Sequence, residues 1–246
     1  MEKLGIVIPE ILGVGDKVQF SHIPENFYKN HGIKLIDISK CWTLDKNPYI
    51  QRGVKPDKVL DLWKLSCSSG HYLSRAELMN SVLKFEKIYC RSPRLYFNEE
   101  PKYVIQNKIC LHSQGVSSKS IFSDKIIKTI KERYPNYHIV QIGGGGDVDC
   151  GVNDLRGLNM WDTVREISTS AIFIGVNSGM MNIANCYPHI NKKLIIDLSS
   201  GEFDQNLNKF HPLSFNHHLF LWVDYGWQYY NDSEIDIGCT YSYNKI

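Results

Sequence analysis

The sequence predicts an α/β protein built on parallel sheets, and three observations carry that expectation. Between residues 108 and 198, apolar β-branched runs alternate with stretches of helical periodicity, the pattern of parallel βαβ units. Glycines and small polar residues gather where those runs end, at the carboxyl edge of such a sheet, where its ligands bind. The amino terminus carries the same pattern once more: an apolar run, a glycine turn and a helical stretch.

Taken in order, residues 4–11 (LGIVIPEI) form the first strand, which stops at Gly13, Gly15 and Asp16 before VQFSHIPENFYKNHG continues as a helix. IKLIDIS at 33–39 is the second strand, and a loop rich in Asp, Asn, Pro and Gly runs on to residue 56. DKVLDLWKL is a third apolar element. SRAELMNSVLKF at 74–85 opens with a capping box, Ser74 with Glu77, and predicts a helix. A polar joint at 98–107 divides the chain into two domains, 1–105 and 106–246. Beyond it come KICLHS (108–113) as strand, SDKIIKTIKERY (123–134) as helix, HIVQIGG (138–144) as strand and a glycine loop. DTVREISTS is a helix, AIFIGV a strand, SGMMNIANCY a helix and KKLIIDLS a strand. The tail from 202 to 246 takes no assignment. Its Trp222, Tyr225, Trp227, Tyr229 and Tyr230 suit core packing best, because aromatics bring the most buried area to a short segment.

With 246 residues, 43% hydrophobic and 22% charged, the chain can bury a proper core. The net charge of +2, from 28 basic and 26 acidic residues, offers no global field for nucleic acid, and no such partner is expected. Seven cysteines (Cys41, Cys67, Cys90, Cys110, Cys150, Cys186 and Cys239) are scattered without CxxC spacing, so they predict reduced thiols rather than a zinc site or a disulfide framework. The first residues lack a basic stretch followed by a long apolar one, and no membrane-length apolar run occurs. The expectation is a cytoplasmic protein, one compatible with docking at the inner face of the cell membrane through a few aromatic or basic side chains. The oligomeric state is left open.

The strongest local signal is AIFIGVNSGMMNIAN, where a buried strand ends at Asn177, Ser178 and Gly179 and a helix begins at once. Free N–H groups and the positive dipole end at such a turn seat phosphates, and Gly179 allows close approach. Taken alone, Asn177 and Ser178 read better as a plain N-cap.

In its surroundings the turn resembles the nucleotide-binding segment of the heptosyltransferases, glycosyltransferase family 9. DLRGLNMWDTVREISTSAIFIGVNSGMMNIANCYP is similar to that family's entry loop, helix, strand and Asp-Ser/Thr-Gly-x-x-His turn, with Asp154, Gly157 and Trp161 and then Asn177, Ser178, Gly179 and Asn182. Asn177 stands where the family has Asp, and Asn182 where it has His. Both can hydrogen-bond phosphate or ribose without adding charge. Upstream, LHSQGVSSKSIFSDKIIKTIKERYPNYHIVQIGGGGD resembles the family's strand, lysine loop, helix and glycine turn. That likeness implies a phosphate-contacting Lys119 beside Ser113, Gln114 and Gly115, a ribose-binding Asp147 next to Gly144, and Met160 as a further donor contact. In the first half, ILGVGDKVQFSHIPENFYKNHG looks like the family's opening Gly-Asp turn, which makes Asp16 the base that takes the acceptor's proton. His22 is the second candidate base.

The resemblance implies a GT-B fold, two Rossmann-like lobes with parallel sheets facing a central cleft, the first lobe shortened. It implies donor binding by the second lobe and acceptor binding by the first. The implied reaction moves a sugar, heptose in the family's usual case, from a nucleotide-diphospho-sugar to a hydroxyl of a cell-surface glycan or lipid-linked saccharide, with inversion. No metal or other cofactor is implied, although Asp147-Val148-Asp149 also reads as the DxD metal motif of other glycosyltransferases. The shortened lobe and the two asparagines keep open a non-catalytic GT-B scaffold, and another nucleotide-sugar enzyme such as an epimerase stands beside it.

Overall fold

In the computed structural model of the protein, the first strand, β1 (Leu4–Val7), stops ahead of Pro9, which has no N–H to give to a sheet ladder. The structure describes residues 2–67, 79–80, 82–90, 92–97, 103–116, 121–176, 178–190 and 192–197, with three short strands further on. The chain forms two units, one running to Glu100 and another that begins at Pro101.

The first unit is a parallel sheet in the order β3-β2-β1-β4, with β2 at Leu35–Asp37, β3 at Ile50–Gln51 and β4 at Lys58–Asp61. The single helix expected after Gly13 is two: α1 (Val14–Gln19) and α2 (Ile23–His31). Pro24 is the reason, because its ring in a continuous helix would meet the Phe20 carbonyl; in the first turn of α2 it is tolerated. Gly32 closes α2 in the left-handed conformation, at φ 69°. The DKVLDLWKL element changes period halfway, β4 giving way to α3 (Leu62–Cys67). Ile6, Ile8, Phe20, Ile23, Leu35, Leu44, Leu62 and Met79 form the core of this unit. The Ser74 and Glu77 capping box lies outside the described residues.

Helix α2 also holds a strap of residues 87–96. The Asn26 carboxamide donates to the Cys90 carbonyl (2.7 Å) and accepts from the Tyr89 and Cys90 amides (2.8 and 3.0 Å). Asn30 exchanges a pair of bonds with the Lys87 backbone. Glu25, its side chain 1% exposed, takes Lys29 at 2.6 Å, Arg94 at 3.0 Å and the Tyr96 hydroxyl at 2.8 Å. Burial pushes the Glu25 carboxyl up, but bonds from Lys29 and Tyr96 and the Arg94 charge hold it below the ordinary carboxylate value.

The second unit contains β5 (Ile105–His112), α4 (Asp124–Arg133), β6 (His138–Ile142), β7 (Asn153–Asp154), α5 (Met160–Ser168), β8 (Ser170–Gly175), α6 (Gly179–Asn185) and β9 (Lys192–Asp197). A small antiparallel pair follows, β10 (Phe203–Asp204) with β11 (Lys209–Phe210), and then β12 (Trp227–Asn231). The sheet runs β7-β6-β5-β8-β9-β12, every pairing parallel. Counted in chain order this is the Rossmann arrangement 3-2-1-4-5-6, whose strand order reverses between β5 and β8.

Local chemistry explains the elements. Every residue of β8 is buried, as expected of a central parallel strand. Ser123 caps α4 by accepting from the Ile126 amide, and Ile126, Ile127 and Ile130 turn one face inward. Helix α5 starts at Met160, before the expected Asp162, because Asn159 takes the cap and accepts from the Asp162 amide at 3.0 Å. Buried Lys108 ties β5 to the end of α5 through Glu166 (2.6 Å) and Thr169 (2.8 Å). Cys41, Cys110, Cys150 and Cys186 are buried free thiols. Cys239 and the Cys67 side chain lie outside the described residues. Among the described residues no helix is long and apolar enough to cross a membrane.

Candidate functional site

Where the strand order reverses, three chain turns meet in the second unit. His112 ends β5, and its carbonyl accepts from the Val176 amide just past β8. Its side chain is 6% exposed. Ring Nδ1 lies 2.9 Å from the Ser178 hydroxyl, and Nε2 faces the Asp147 carboxylate at 3.9 Å. Burial pushes the imidazole down to about 4, so at neutral pH the ring is uncharged and the approach to Asp147 is not an ion pair.

The turn after β6 is shaped around that ring. Gly143 adopts φ 137°, and a Cβ there would meet Asp147 Oδ2 at 2.2 Å and His112 Cδ2 at 3.3 Å. Asp147 folds back on its own turn, accepting from the Gly144 amide at 2.9 Å. Gln141, fully buried, donates to Ser113 Oγ (3.0 Å) and the Val148 carbonyl (2.6 Å) and accepts from the Cys150 amide (2.9 Å). Gln114 accepts from the Val148 amide at 3.0 Å. Arg156 donates to the Asp147 carbonyl and grips Asp154 at 2.7 Å, holding that carboxyl down to about 2. Asp149 accepts from the Gly151 amide and lies 3.7 Å from Arg156. Both carboxylates of the DxD sequence are thus engaged within the loop. Among the described residues, no three His, Cys, Asp or Glu side chains gather so as to hold a metal ion.

Of the residues singled out by sequence, Asp147 and Ser178 come together, joined by His112. Ser178 stands at the N-cap of α6 but its side chain does not cap; the hydroxyl goes to His112 instead. Gly179 is the first residue of α6 and Met160 the first of α5, both half-buried. Gly144 is exposed and Gly115 buried. Ser113 is fully buried, and its Oγ serves Gln141 and Val148. Asn182 is 4% exposed, its side-chain oxygen buried without a hydrogen bond among the described residues. Lys119 and Asn177 lie outside the described residues. In the first unit, Asp16 is the third residue of α1, half-buried, in the segment that follows the carboxyl end of β1. His22 is 1% exposed, so its ring is not presented to solvent.

His112 is the residue that sequence reasoning misses. Its one signal is a polar side chain at the end of the apolar run KICLHS, directly before a polar loop.

The sequence matches no protein-family model and no curated protein. The fold does have solved counterparts. One is the dodecameric, iron-containing glycosyltransferase TibC of enterotoxigenic E. coli, at 17% identity and TM-score 0.58, covering 85% of this chain and 61% of TibC. A family 9 glycosyltransferase of Veillonella parvula aligns at 12% identity and TM-score 0.63, over 96% of this chain and 88% of the other. The E. coli heptosyltransferase WaaC with ADP gives 12% and 0.55, over 90% and 97%. At these identities the likeness is one of fold. The architecture is that of the heptosyltransferases and their family 9 relatives: α/β, with two parallel, GT-B-like Rossmann sheets.

Proposed function

We propose that the chain is a glycosyltransferase that moves a sugar from a nucleotide-diphospho-sugar to a hydroxyl of a glycan or lipid-linked saccharide. The observation that carries this reading is the meeting of His112, Asp147 and Ser178 where strand order reverses between β5 and β8, in a fold shared with a heptosyltransferase bound to ADP. Asp16, at the corresponding edge of the other sheet, is the acceptor's base.

In this mechanism the acceptor oxygen bonds to the anomeric carbon while the carbon–oxygen bond to the diphosphate breaks. The hydroxyl proton passes to Asp16. The nucleoside diphosphate departs against the Lys119 ammonium and the Ser178 turn, which offset its growing charge. Attack opposite the leaving group inverts the anomeric centre. The donor-binding part is the second unit and the acceptor-binding part the first, with heptose the first sugar to try and no resident metal or other cofactor required. An acceptor tethered to lipid would bring the enzyme to the inner membrane face.

A thermal-shift panel of ADP, GDP, UDP and CMP, with and without magnesium, tests the reading on wild type and Lys119→Ala. A nucleotide at a hundred times its Kd adds roughly 2.7 kcal/mol of stability. Stabilisation of wild type that the variant loses supports the donor site and identifies its base. No stabilisation at millimolar concentration defeats the reading. A scaffold would then be the better account, one already favoured by the internal engagement of Ser113 and Gln114.

A further inference from the structure

We propose that Arg156 is the resident cation of the Asp147-Val148-Asp149 loop, a positioning residue whose guanidinium stands where other DxD loops keep a divalent metal; its bearing on donor binding rests on the reading above. Nε and Nη2 of Arg156 donate to the two carboxylate oxygens of Asp154 at 2.8 and 2.7 Å. Nη1 donates to the Asp147 carbonyl, and Nη2 lies 3.7 Å from Oδ2 of Asp149. Two carboxylates and a backbone carbonyl are the ligand chemistry that magnesium and calcium select. The guanidinium already engages these oxygens, so a metal entering among them would meet a fixed positive charge. The arginine side chain is 13% exposed while both carboxylates are open to water, which makes the cation the enclosed member of the group.

The two aspartates of the DxD sequence face different ways. The Asp147 carboxylate accepts from the Gly144 amide and approaches His112, whereas the Asp149 carboxylate lies toward Arg156. Arg156 therefore holds Asp147 by its backbone and leaves that side chain to the turn. Its neighbours add two bonds of their own: the Leu155 amide donates to the Gln141 carbonyl at 2.8 Å, and the Gly157 amide to the Gly143 carbonyl at 2.9 Å. Three consecutive residues thus fasten the strand end and turn that run from Gln141 to Asp147. A planar guanidinium fork fixes direction as well as charge, which the rotating ammonium of a lysine does not.

Arg156→Gln and Arg156→Lys test the assignment against wild type. Amide spectra are recorded as manganese(II) is titrated, because a bound paramagnetic ion broadens the signals around it. In wild type, the amides of Gly143, Gly144, Asp147 and Asp149 should show no selective broadening at millimolar manganese. In Arg156→Gln the same amides should exchange with solvent about tenfold faster or more, broaden selectively, and regain protection in millimolar magnesium or calcium. Arg156→Lys should keep the metal out yet still exchange faster than wild type. Selective broadening in wild type or in the lysine variant overturns the assignment. So does unchanged exchange in Arg156→Gln, or a glutamine variant that loosens but takes no metal. Should that variant fail to fold, wild type and Arg156→Lys decide by the same signals. Titrations with ADP, GDP and UDP extend the test to the donor site: wild-type binding should be the same with and without EDTA, and binding lost in EDTA also overturns the role of Arg156. Failure of wild type to bind any of the three defeats the donor reading instead, and the manganese spectra still decide what Arg156 does.

Discussion

The Ser178 hydroxyl and Nδ1 of His112 stand 2.9 Å apart although 66 residues separate them in sequence. The contact joins the turn after β8 to the end of β5, the two strands between which the order of the sheet reverses. Asp147 arrives from the turn after β6, so the carboxyl ends of three strands, β5, β6 and β8, deliver one side chain each to a single place. A parallel sheet achieves this because every strand ends at the same edge.

The buried ring makes stability depend on pH. An unfolded His112 takes up a proton below its ordinary value of 6.5, whereas the folded one stays neutral until about 4. Unfolding therefore binds a proton across that window, and stability falls as pH falls from 6.5 to 4. Between pH 7 and pH 5 the loss from this group is about 2 kcal/mol. Urea unfolding at both values should give wild type that much more acid sensitivity than His112→Asn, whose side chain does not titrate. Equal sensitivity would mean that His112 is charged or solvated in the folded protein.

Four glycines in a row invite a reading as a flexible loop, but their environments differ. Gly143 has the tightest Cβ position, 2.2 Å from Asp147 Oδ2, against 3.2 Å from Asp147 Oδ1 at Gly144 and open space at Gly145 and Gly146, and it alone of the four has a positive φ, at 137°. Gly143→Ala should cost about 2 kcal/mol or more, because strained backbone is added to a clash. Gly145→Ala, with open space around it, should be neutral within about 0.5 kcal/mol. Denaturant titration of the two variants decides, and equal behaviour would count against the observed shape of the turn.

The alternation of strands and helices was readable because β8, most of β6 and the second half of β5 are buried and largely apolar, and α4 and α5 bury one face. Short elements carried no such pattern. β7 is two exposed polar residues, Asn153 and Asp154, paired through backbone alone. Within DKVLDLWKL apolar residues stand on both sides of Asp61 while the backbone changes from strand to helix at Leu62, so apolar composition does not mark the boundary. At the site, neighbouring residues misled for a stereochemical reason. Side chains alternate along a strand, so His112 and Ser113 at its end cannot both face the ligand edge. Ser113, the more obvious phosphate contact, turns to Gln141; the histidine beside it meets Ser178. The glycine-rich and Ser-Gly turns themselves were legible, because turns at strand ends leave local composition behind.

Asn26 holds the strap on α2 through three bonds to the backbone of Tyr89 and Cys90. Alanine at that position leaves a carbonyl and two amides to find water, and should destabilise the first unit by about 2–3 kcal/mol. The strap itself should loosen first, since Asn30 and Arg94 remain as its end anchors. Limited trypsin digestion should then cut Asn26→Ala after Lys87 well before the rest of the chain. Wild-type resistance in the variant would show that the strap is held mainly by its ends.

The pair Lys108–Glu166 should respond unequally to losing either partner. The lysine side chain is 4% exposed and the glutamate 27%, so only the ammonium depends on its partner for solvation. Glu166→Ala strands a buried charge whose remaining polar contact among the described residues is the Thr169 hydroxyl at 2.8 Å, and should cost about 3 kcal/mol. Lys108→Met removes the charge and keeps the apolar stem packed between β5 and α5. It leaves a carboxylate that water can reach, and should cost about 1 kcal/mol or less. Urea midpoints of the two variants give the comparison, at a pH where both groups are charged in wild type. An equal cost, or a larger one for Lys108→Met, would mean that water reaches the ammonium and that the tie between β5 and α5 is made by packing rather than by charge.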